Sequence, residues 1–438
     1  MNPEHRIAAA GGNDLPRSQA SMKWNKLGRG TLASILSLAL VSVTACSRDY
    51  VLAYVYVTTA KPLTSASKHG GISAYAVDYQ IGSLTPLADS PIEAGTNPVT
   101  LVASPKGTNL YVVNHDDATI GVYSIGTDGK IYLQSTVNVT GSNPTAIAID
   151  SAGTFLYVTF QYQLGPGGQQ LYSPASPGPG GVTIFPISAT DGSLGSPQSV
   201  KVGNNPVGVV VSRPTPGTST VFVYVLDQEV SPKATVLGFQ QNPSNGSLTP
   251  TPGTVITTDS TGKTVATGYG AGTTPSAIAE DPSARFVYIT DEATNQMYGN
   301  VVSSNGALVA MTNSPFATGI LPVGITIDPR GQFLYVTNYT SGSVGAYAIN
   351  TATGTPVGSV GSASTQVETG PTCVTVEPAL GIYLYTSNNL AGTVSALQLD
   401  PHNGGLKQVQ NTAFPASGLP TCAVSVANGS HPTQIIVD

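Results

Sequence analysis

His115 and Asp116 are the one neighbouring pair of imidazole and carboxylate beyond the first 45 residues, and such a pair can do acid and base chemistry. A carboxylate can hold an imidazole in the tautomer that takes a proton from water during hydrolysis of an acyl group. The same pair is also common on exposed loops without any role, so both interpretations stay open. Two carboxylates at the ends of apolar runs, Asp227 and Asp291, are the other candidate bases.

Other catalytic templates are missing from the sequence. The histidines occur at positions 5, 69, 115, 402 and 431, and none of them belongs to an HExxH or another closely spaced zinc motif. There is also no P-loop and no nucleophile elbow. We therefore predict no resident metal and no cofactor.

The segment that begins at Met22 has the features of a secretory signal peptide. Lys23, Lys26 and Arg29 precede an uncharged apolar run, TLASILSLALVSVTAC, that ends at Cys46. A basic stretch followed by about 15 apolar residues is typical of an export signal, and it is too short for a permanent membrane span. The sequence leaves open whether translation starts at Met1 or at Met22.

Residues 43–46 (VTAC) resemble the lipobox of bacterial lipoproteins, in which the cysteine is lipidated and becomes the new N-terminus. This interpretation makes residues 1–45 a leader. It predicts an exported protein of the bacterial cell envelope, on the periplasmic or surface side, whose membrane partner is reached through lipid on Cys46. Several acyl chains anchor a protein stably, whereas a single chain does not. The alternative is ordinary cleavage near Ala45 with an incidental cysteine.

Two cysteines remain after Cys46, namely Cys373 and Cys422. Each follows a proline by two residues, in the similar contexts GPTCVTV and GLPTCAVSV. In an oxidising compartment these two are candidate disulfide partners. The alternative is a pair of small buried side chains on neighbouring strands.

The charge balance argues against a nucleic-acid partner. The 438 residues include 17 Lys+Arg and 23 Asp+Glu, for a formal net charge of −6. Five of the basic residues precede Cys46, so the rest of the chain cannot build the basic stripe that phosphate backbones require. The 49 glycines and 33 prolines stand beside 40% hydrophobic residues, which indicates many short strands separated by turns.

A repeat fills the chain after the leader. Each unit opens with a proline, usually in a Gly-x-x-Pro turn, followed by an alternating apolar run, a Pro/Gly turn and an LYV-like run. Four short strands, a to d, fit each unit, and such units stack as propeller blades because one unit cannot bury its own faces. A β-sandwich or a parallel β-helix is the alternative. The anchoring prolines are 46 to 69 residues apart, at Pro98, Pro144, Pro206, Pro275, Pro322, Pro371 and Pro420.

The two ends of the repeat should close on each other. The chain after the leader opens on YVLAYVYVTT, which has the pattern of strand b without its strand a, and Pro420 is followed by one inner strand, CAVSV. We therefore expect the C-terminal strand to complete the first blade. The fold class predicted for residues 46–438 is a single all-β domain, a seven-bladed β-propeller with four antiparallel strands per blade.

The strand-b runs carry a recognisable motif. Residues 334–338 (LYVTN) contain a complete YVTN motif, and near copies occur at 111–114, 157–160, 288–291 and 385–388. Together with the PxGxxLYV pattern, these runs resemble the lactonase family of seven-bladed propellers, whose named activity is that of 6-phosphogluconolactonase, and the wider YVTN-repeat surface proteins. The resemblance extends over residues 50–438. It implies the propeller fold and, as an expectation, hydrolysis of a lactone.

The catalytic motifs that this resemblance implies are not kept. In the phosphogluconolactonase type we expect a His-x-His run around the proline of one strand a, and a D-L-G-x-D run after the following strand b. No anchoring proline here has a neighbouring histidine, and the second run keeps only Asp227 and Asp291. A phosphorylated substrate also needs clustered cations, yet after Cys46 the chain has arginine only at positions 48, 213, 285 and 330.

The long connections should share one face of the propeller. Residues 58–71, 161–181 and 226–235 join strands b and c, and residues 252–274 join d to a, so all four lie at the same end of the blades. Long loops on one face indicate a binding face, although a tolerated flexible insertion is the alternative for residues 161–181.

We expect the residue three past each strand-b tyrosine to point into the mouth of the funnel on that face, where it could bind a ligand. His115, Asp116, Glu229 and Glu292 extend this ring. The alternative is that these Asn and Asp side chains satisfy the backbone of the turn. The ring consists of Thr59, Asn114, Phe160, Asp227, Asp291, Asn338 and Asn388.

Three functions remain open at this point. The leading hypothesis is a surface lipoprotein whose long-loop face binds a small molecule, a glycan or a protein partner. The second is a lactone hydrolase with His115, or Asp227 and Asp291, as general base or as ligands of a metal that activates water. The third is a structural repeat of the envelope without a discrete site.

Overall fold

Seven small antiparallel sheets, arranged as the blades of a propeller, and one separate two-stranded hairpin account for the strands that the computed structural model describes. The described part of the chain is residues 50–429 without residues 177, 215–216, 229–233, 259–263 and 360–363. The predicted leader, Cys46 and the predicted ring member Glu229 lie outside the described residues. No helix among the described residues is long and apolar enough to cross a membrane.

The first three blades contain the following strands. Blade 1 has β1 (Val51–Thr59), β2 (Gly71–Asp78), β3 (Leu84–Pro86) and the short β4 (Ile92–Glu93). Blade 2 has β5 (Pro98–Ala103), β6 (Asn109–Asn114), β7 (Thr119–Ile125) and β8 (Ile131–Asn138). Blade 3 has β9 (Gly141–Ile149), β10 (Phe155–Gln163), β11 (Gly180–Pro186) and β12 (Gln198–Val202), with a 3-10 turn at Pro166–Gly168 between β10 and β11.

Blades 4 and 5 are separated by an additional hairpin. Blade 4 has β13 (Pro206–Val211), β14 (Phe222–Asp227), β15 (Thr235–Gln241) and β16 (Leu248–Pro250). After it come the hairpin of β17 (Val255–Thr258) and β18 (Thr264–Thr267), and then the short β19 (Tyr269–Gly270). Blade 5 has β20 (Pro275–Glu280), β21 (Phe286–Asp291), β22 (Gln296–Val302), β23 (Leu308–Ala310) and β24 (Phe316–Ala317).

The last two blades and the C-terminal strand complete the propeller. Blade 6 has β25 (Pro322–Ile327), β26 (Phe333–Asn338), β27 (Ser343–Ile349), β28 (Pro356–Ser359) and β29 (Thr365–Gln366). Blade 7 has β30 (Pro371–Val376), β31 (Tyr383–Asn388), β32 (Thr393–Leu399), β33 (Leu406–Gln408) and β34 (Phe414–Pro415). The chain ends on β35 (Pro420–Ala427).

The C-terminal strand closes the first blade, as the sequence predicts. β35 pairs antiparallel with β1, with Ala53 opposite Ala427 and Val57 opposite Ala423. Cys373 on β30 and Cys422 on β35 form a disulfide, so a covalent bond joins the inner strands of blades 7 and 1. The two ends of the described chain are thereby tied into one blade.

The hydrophobic core lies between blades and not within them. Seven clusters of buried apolar side chains fill the seven junctions between neighbouring blades. Strand b belongs to two junctions at once, and successive residues such as Tyr111 and Val112 face opposite neighbours. This explains why the strand-b runs read LYVV or FVYI, since a strand buried on both faces has no polar side.

A ring of hydrogen bonds explains the recurrent tyrosine of the YV motif. In every blade the hydroxyl of this tyrosine donates to the carbonyl of a glycine in the c-to-d turn of the next blade, at 2.5–3.1 Å. Blade 7 contacts blade 1 in the same way, through Tyr385 and Gly82. The tyrosines are Tyr56, Tyr111, Tyr157, Tyr224, Tyr288, Tyr335 and Tyr385.

Two features differ from the four-strand pattern. In five blades a two-residue strand after strand d pairs back onto strand c, as β24 pairs with β22. The segment 252–274, expected only as a long connection, contains the β17–β18 hairpin. Its VITT and TVAT runs pair with each other and form a separate two-stranded sheet.

Candidate functional site

The candidate site lies where strands b end and strands a begin, which we call the mouth. The backbone holds these segments together, because in six blades the residue after strand b donates its N–H to the carbonyl of the residue before the anchoring proline. Examples are His115 to Asn97 at 3.0 Å and Gln228 to Asn205 at 2.9 Å. The loops between strands b and c and the connections from d to a meet at this end, as the sequence predicts.

The polar ring predicted to point into the mouth is buried instead. Asn114 is 2% exposed, Asp227 is 1% exposed, and Asp291, Asn338 and Asn388 have no exposed surface. Thr59 and Phe160 are also fully buried. The expectation that these seven side chains face an open funnel is therefore wrong.

Hydrogen bonds to the backbone are the physical reason for this burial. The Asn114 Oδ1 accepts the N–H of Gly95 at 3.0 Å, and the Asn338 Oδ1 accepts that of Gly319 at 3.0 Å. Both glycines are the first residue of the Gly-x-x-Pro turn. A Cβ on Gly95 would come within 2.5 Å of the Asn114 side chain. The glycine of the Gly-x-x-Pro turn thus contacts the Asn side chain that ends strand b of the same blade.

The two candidate aspartates of the ring hold the backbone in the same way. The Asp227 Oδ1 accepts the N–H of Asn205 at 2.9 Å. Asp291 accepts the N–H groups of Thr273 at 2.7 Å and Thr274 at 3.0 Å, and that of Ala293 at 3.1 Å. The carboxylates therefore fix the connection that precedes strand a of their own blade, as the amides of Asn114 and Asn338 do in blades 2 and 6.

Two further ring members, Thr59 and Asn388, make hydrogen bonds that differ from those of Asn114 and Asn338. Thr59 Oγ1 donates to the Gly71 carbonyl at 3.2 Å. Asn388 donates to Thr393 Oγ1 at 3.1 Å and to Ser395 Oγ at 2.9 Å, while its buried Oδ1 has no hydrogen-bond partner among the described residues. Blade 7 has Glu368 where Gly95 stands in blade 2, so the Gly-x-x-Pro donor is missing there.

The His115–Asp116 pair, in contrast, is accessible at the mouth. The His115 Nδ1 lies 2.6 Å from the Asp116 Oδ1, and the two side chains are 25% and 50% exposed. The same carboxylate oxygen accepts a hydrogen bond from Asn97 Nδ2 at 3.1 Å. Burial works to raise the pKa of Asp116, but the hydrogen bonds from His115 and Asn97 outweigh it and lower the pKa below its ordinary value. Asp116 is therefore a carboxylate that orients the imidazole.

A second imidazole and carboxylate pair was missed by the sequence analysis. The His69 Nδ1 lies 2.7 Å from the Glu93 Oε1, and these side chains are 48% and 57% exposed. The two residues are 24 positions apart, and only the pairing of β2 with β4 brings them together. This pair is more exposed than His115 and Asp116, and it resembles an ordinary surface contact.

A chain of side-chain amides at the mouth was also missed. Gln161 Nε2 donates to Asn205 Oδ1 at 2.8 Å, Asn205 Nδ2 donates to Gln228 Oε1 at 3.2 Å, and Gln228 Nε2 donates to the Pro275 carbonyl at 3.1 Å. Asn143 donates to Gln161 at 3.4 Å. The chain crosses blades 3, 4 and 5, beside the blade of His115. The sequence offered one signal for it, because Gln161 and Gln228 each directly follow a residue of the predicted ring.

Glu292 directly follows the ring member Asp291 in blade 5, as Gln228 follows Asp227 in blade 4. It is half-buried, and burial, followed by the negative charge of Asp291, raises the pKa of its carboxyl group above the ordinary value. The mouth therefore presents one oriented imidazole, several amides and one carboxyl group that holds its proton more tightly than usual. Such groups can activate a water molecule and donate hydrogen bonds to a carbonyl oxygen.

Arginine side chains are held away from the mouth. Among the described residues, arginine occurs only at Arg213, Arg285 and Arg330, and all three lie in turns between strands a and b, at the opposite end of the blades. Arg285 donates to the Thr351 carbonyl at 2.8 Å, and Arg330 forms an ion pair with buried Asp328 at 2.5 Å. No group of three or more His, Cys, Asp or Glu side chains comes together in the described part of the chain.

Comparison with known proteins identifies the fold and a family. The family model described as "Lactonase, 7-bladed beta-propeller" matches residues 54–376, which is well over half of the chain. No curated protein matches the sequence.

Two solved structures are similar over nearly their whole length. A proposed 6-phosphogluconolactonase from Bacteroides uniformis is 18% identical, with a TM-score of 0.66, and the match covers 86% of this chain and 100% of that one. The periplasmic gluconolactonase PpgL from Pseudomonas aeruginosa is 22% identical, with a TM-score of 0.63, covering 86% of this chain and 99% of that one. At these identities the likeness concerns the fold.

Proposed function

Since the chain belongs to the lactonase family of seven-bladed β-propellers, we propose that it hydrolyses a lactone at the mouth, with His115 as general base. The observation that carries this proposal is the accessible His115–Asp116 pair, with 2.6 Å between the His115 Nδ1 and the Asp116 Oδ1. Similarity to a periplasmic gluconolactonase supports the same reaction class.

The pair is suited to a simple hydrolytic mechanism. With its Nδ1–H directed at Asp116, the imidazole presents Nε2 as the basic nitrogen. Nε2 takes a proton from water while the water oxygen attacks the lactone carbonyl carbon. The ring C–O bond of the tetrahedral intermediate then breaks, and the leaving alkoxide takes the proton from the imidazolium. The product is an open hydroxy acid, which ionises and releases one proton to solvent.

The neighbouring amides would bind the substrate in this scheme. Gln161 on blade 3, Gln228 on blade 4 and Asn205 between them carry side-chain N–H groups, and such donors stabilise negative charge that develops on a carbonyl oxygen. Asp227 and Asp291, predicted as candidate bases, receive a positioning role in this proposal because their oxygens hold backbone N–H groups.

We propose an uncharged lactone as the substrate. A phosphorylated lactone needs arginine or clustered lysine for its phosphate, and the described arginines lie at the other end of the blades. Amide side chains match the hydroxyl and carbonyl groups of a sugar lactone, because they donate and accept hydrogen bonds without carrying charge.

The proposed location is the exterior side of a bacterial membrane, with lipid on Cys46. The support is the apolar leader that ends in VTAC, and the Cys373–Cys422 disulfide, which suits an oxidising compartment. An intact mass of the purified protein should show loss of residues 1–45 and the added mass of acyl chains. A mass without lipid would refute the anchor.

Proton release on a panel of lactones tests the proposed reaction. The purified protein is mixed with glucono-δ-lactone, with simple γ- and δ-lactones and with 6-phosphogluconolactone, and spontaneous hydrolysis is subtracted. We expect turnover of uncharged lactones and little of the phosphorylated one. No rate above background on any of them would refute the hydrolase. It would leave the leading hypothesis of the sequence analysis, a long-loop face that binds a glycan or protein, which has no support from the comparisons.

A further inference from the structure

A cavity at the opposite end of the inner strands has a composition unlike the mouth. It has a volume of about 660 Å³ and is lined by inner-strand residues of several blades, with aliphatic side chains such as Ile149, Val211 and Ile327. Three charged-type residues, Arg213, Glu280 and Asp281, also line it. The cavity lies beside the turns between strands a and b, so it is separate from His115 and the amide chain.

Glu280 departs from the repeat at this position. Five of the six equivalent residues, counted from the anchoring prolines, are aliphatic, and the first blade has Ser425. Blade 5 is therefore the only blade with a carboxyl group at this position. The aliphatic residues are Ala103, Ile149, Val211, Ile327 and Val376.

The Glu280 carboxyl group is poorly satisfied inside the protein. Part of the residue is accessible from the cavity, but its Oε1 is buried and has no hydrogen-bond partner within the described part of the chain. Its neighbour Asp281 gives no help, because that carboxylate accepts the backbone N–H groups of Arg285 at 2.8 Å and Phe286 at 2.7 Å. A buried polar atom without a partner destabilises a protein, so a hydrogen-bonding ligand at this position would stabilise the carboxyl group.

Arg213 is a second departure, in the adjacent blade. The equivalent residue is proline in four blades, namely Pro105, Pro282, Pro329 and Pro378, whereas blade 4 has an exposed arginine at the edge of the same cavity. The two unusual residues thus lie on neighbouring blades and face one cavity, whose walls combine aliphatic and charged side chains. The charge of Arg213 acts on Glu280 across that space.

We propose that this cavity is a second binding site, which takes a small monocarboxylate with an apolar body. Arg213 binds the carboxylate of the ligand, Glu280 shares a hydrogen bond with it, and the aliphatic walls cover the apolar body. An amine would be repelled by Arg213. A phosphate or sulfate would place a strongly hydrated anion against aliphatic walls. The site does not rest on the proposed hydrolysis at the mouth.

The protonation of Glu280 fits this role. Burial, followed by the negative charge of Asp281, raises its pKa well above the ordinary value, while Arg213 opposes the shift. Tyr224 is the other titratable group whose charge interacts with Glu280. A neutral carboxyl group donates a hydrogen bond to a carboxylate, whereas an ionised one repels it.

Calorimetric titration with hexanoate tests the site. We expect saturable binding at a ratio of one to one, with hexylamine not bound. Arg213→Ser and Glu280→Val should each weaken hexanoate binding about tenfold or more. Both variants copy residues that other blades carry at these positions, Ser151 and Val211, so they should fold. Arg285→Ser is the matched control, since that arginine is bound to the Thr351 carbonyl, and it should leave binding unchanged.

A pH series separates a hydrogen bond to Glu280 from general attraction to Arg213. Wild-type affinity for hexanoate should fall as Glu280 ionises, whereas Glu280→Gln, which stays neutral, should keep its affinity over the whole pH range in which hexanoate is ionised. Two results would overturn the proposal: no saturable binding of hexanoate by the wild-type protein, or equal affinity in the wild type, Arg213→Ser and Glu280→Val.

Discussion

At the scale of single residues, burial separates polar side chains that hold the fold from those that could do chemistry. Asn114 and Asn338 lie one position before residues of the mouth, yet they are buried and bound to backbone N–H groups. His115 and Gln228 are the next residues along the chain after a ring member, and their side chains remain accessible. At the end of strand b, the last residue therefore stabilises the backbone, whereas the side chain of the next residue is accessible to a ligand.

Asp116 should act on the rate of hydrolysis and not on substrate binding. In Asp116→Asn the imidazole loses the carboxylate that selects its tautomer, so kcat should fall by about 10²–10⁴ while KM changes little. Steady-state kinetics on a lactone that the wild type hydrolyses, together with a thermal melt, give the readout. An unchanged kcat, or a fall in kcat explained by a lowered Tm, would remove Asp116 from the mechanism.

Glu280 should make stability depend on pH. Its folded-state pKa is raised above the ordinary value of 4.5, so above pH 4.5 the unfolded chain binds fewer protons than the folded one. Stability therefore falls as pH rises from 4.5 through the folded-state pKa. Glu280→Val should remove this slope and raise the free energy of unfolding at neutral pH by about 1–3 kcal/mol.

Urea unfolding of wild type and Glu280→Val at several pH values measures the effect. Glu280→Gln is the control that keeps the shape and removes the titration. If the free energies of unfolding of wild type and Glu280→Val changed with pH in parallel, burial of the Glu280 carboxyl group would not destabilise the folded protein, and the prediction would be wrong.

At the scale of elements, the LYV and Gly-containing turns are explained by contacts between blades. The tyrosine of one blade and the glycine of the next c-to-d turn meet around the whole ring. Gly306 has φ +81°, and a Cβ there would come 2.5 Å from the Phe222 ring, so the turn needs glycine for its conformation and for space. Both residues of the repeat therefore encode the packing of neighbouring blades.

Loss of one such hydroxyl should have a measurable cost. Tyr224 is fully buried, and its hydroxyl donates to the Gly306 carbonyl at 3.0 Å. Tyr224→Phe leaves that carbonyl without its partner and should lower the free energy of unfolding by about 1–3 kcal/mol. Chemical denaturation measures this, with Tyr132→Phe as the matched control because Tyr132 is 52% exposed. Equal effects of the two substitutions would contradict the role of the ring.

The elements were predictable where the sequence repeats and unpredictable where it does not. The spacing of Pro98, Pro144 and the later prolines gives the blades, because each inner strand starts in the same context. The β17–β18 hairpin occurs once among the residues that the structure describes, without a counterpart in the other blades. The amide chain of Gln161, Asn205 and Gln228 depends on side chains that meet only after three blades have packed.

At the scale of the whole molecule, closure of the ring depends on the two ends of the chain. β35 supplies strand a of blade 1, and the disulfide joins it to strand a of blade 7. Closure was predictable because the first blade lacks an inner strand and the last anchor is followed by little else. The pairing of Cys373 with Cys422 was left open by the sequence, since the same contexts also suit two buried thiols.

Removal of the disulfide should destabilise the ring without changing its fold. The cysteines are 49 residues apart, and a bond that closes a loop of this length stabilises by about 4 kcal/mol in the chain-entropy model. A Cys373→Ser, Cys422→Ser double variant should unfold at lower urea concentration than the oxidised wild type. Reductant should lower the stability of the wild type to that of the variant. A wild type indifferent to reductant under unfolding conditions would contradict this prediction.

The assignment of His115 as general base is the central proposal for the whole molecule. A comparison of two histidine variants tests it directly. The value of kcat/KM for an uncharged lactone is measured for the wild type, His115→Ala and His69→Ala. His69 is the matched control, because it also contacts a carboxylate but is more exposed. We predict that His115→Ala lowers kcat/KM at least 100-fold while His69→Ala keeps the wild-type value. A His115→Ala variant that hydrolyses the lactone at the wild-type rate would contradict the assignment of the mouth as the active site.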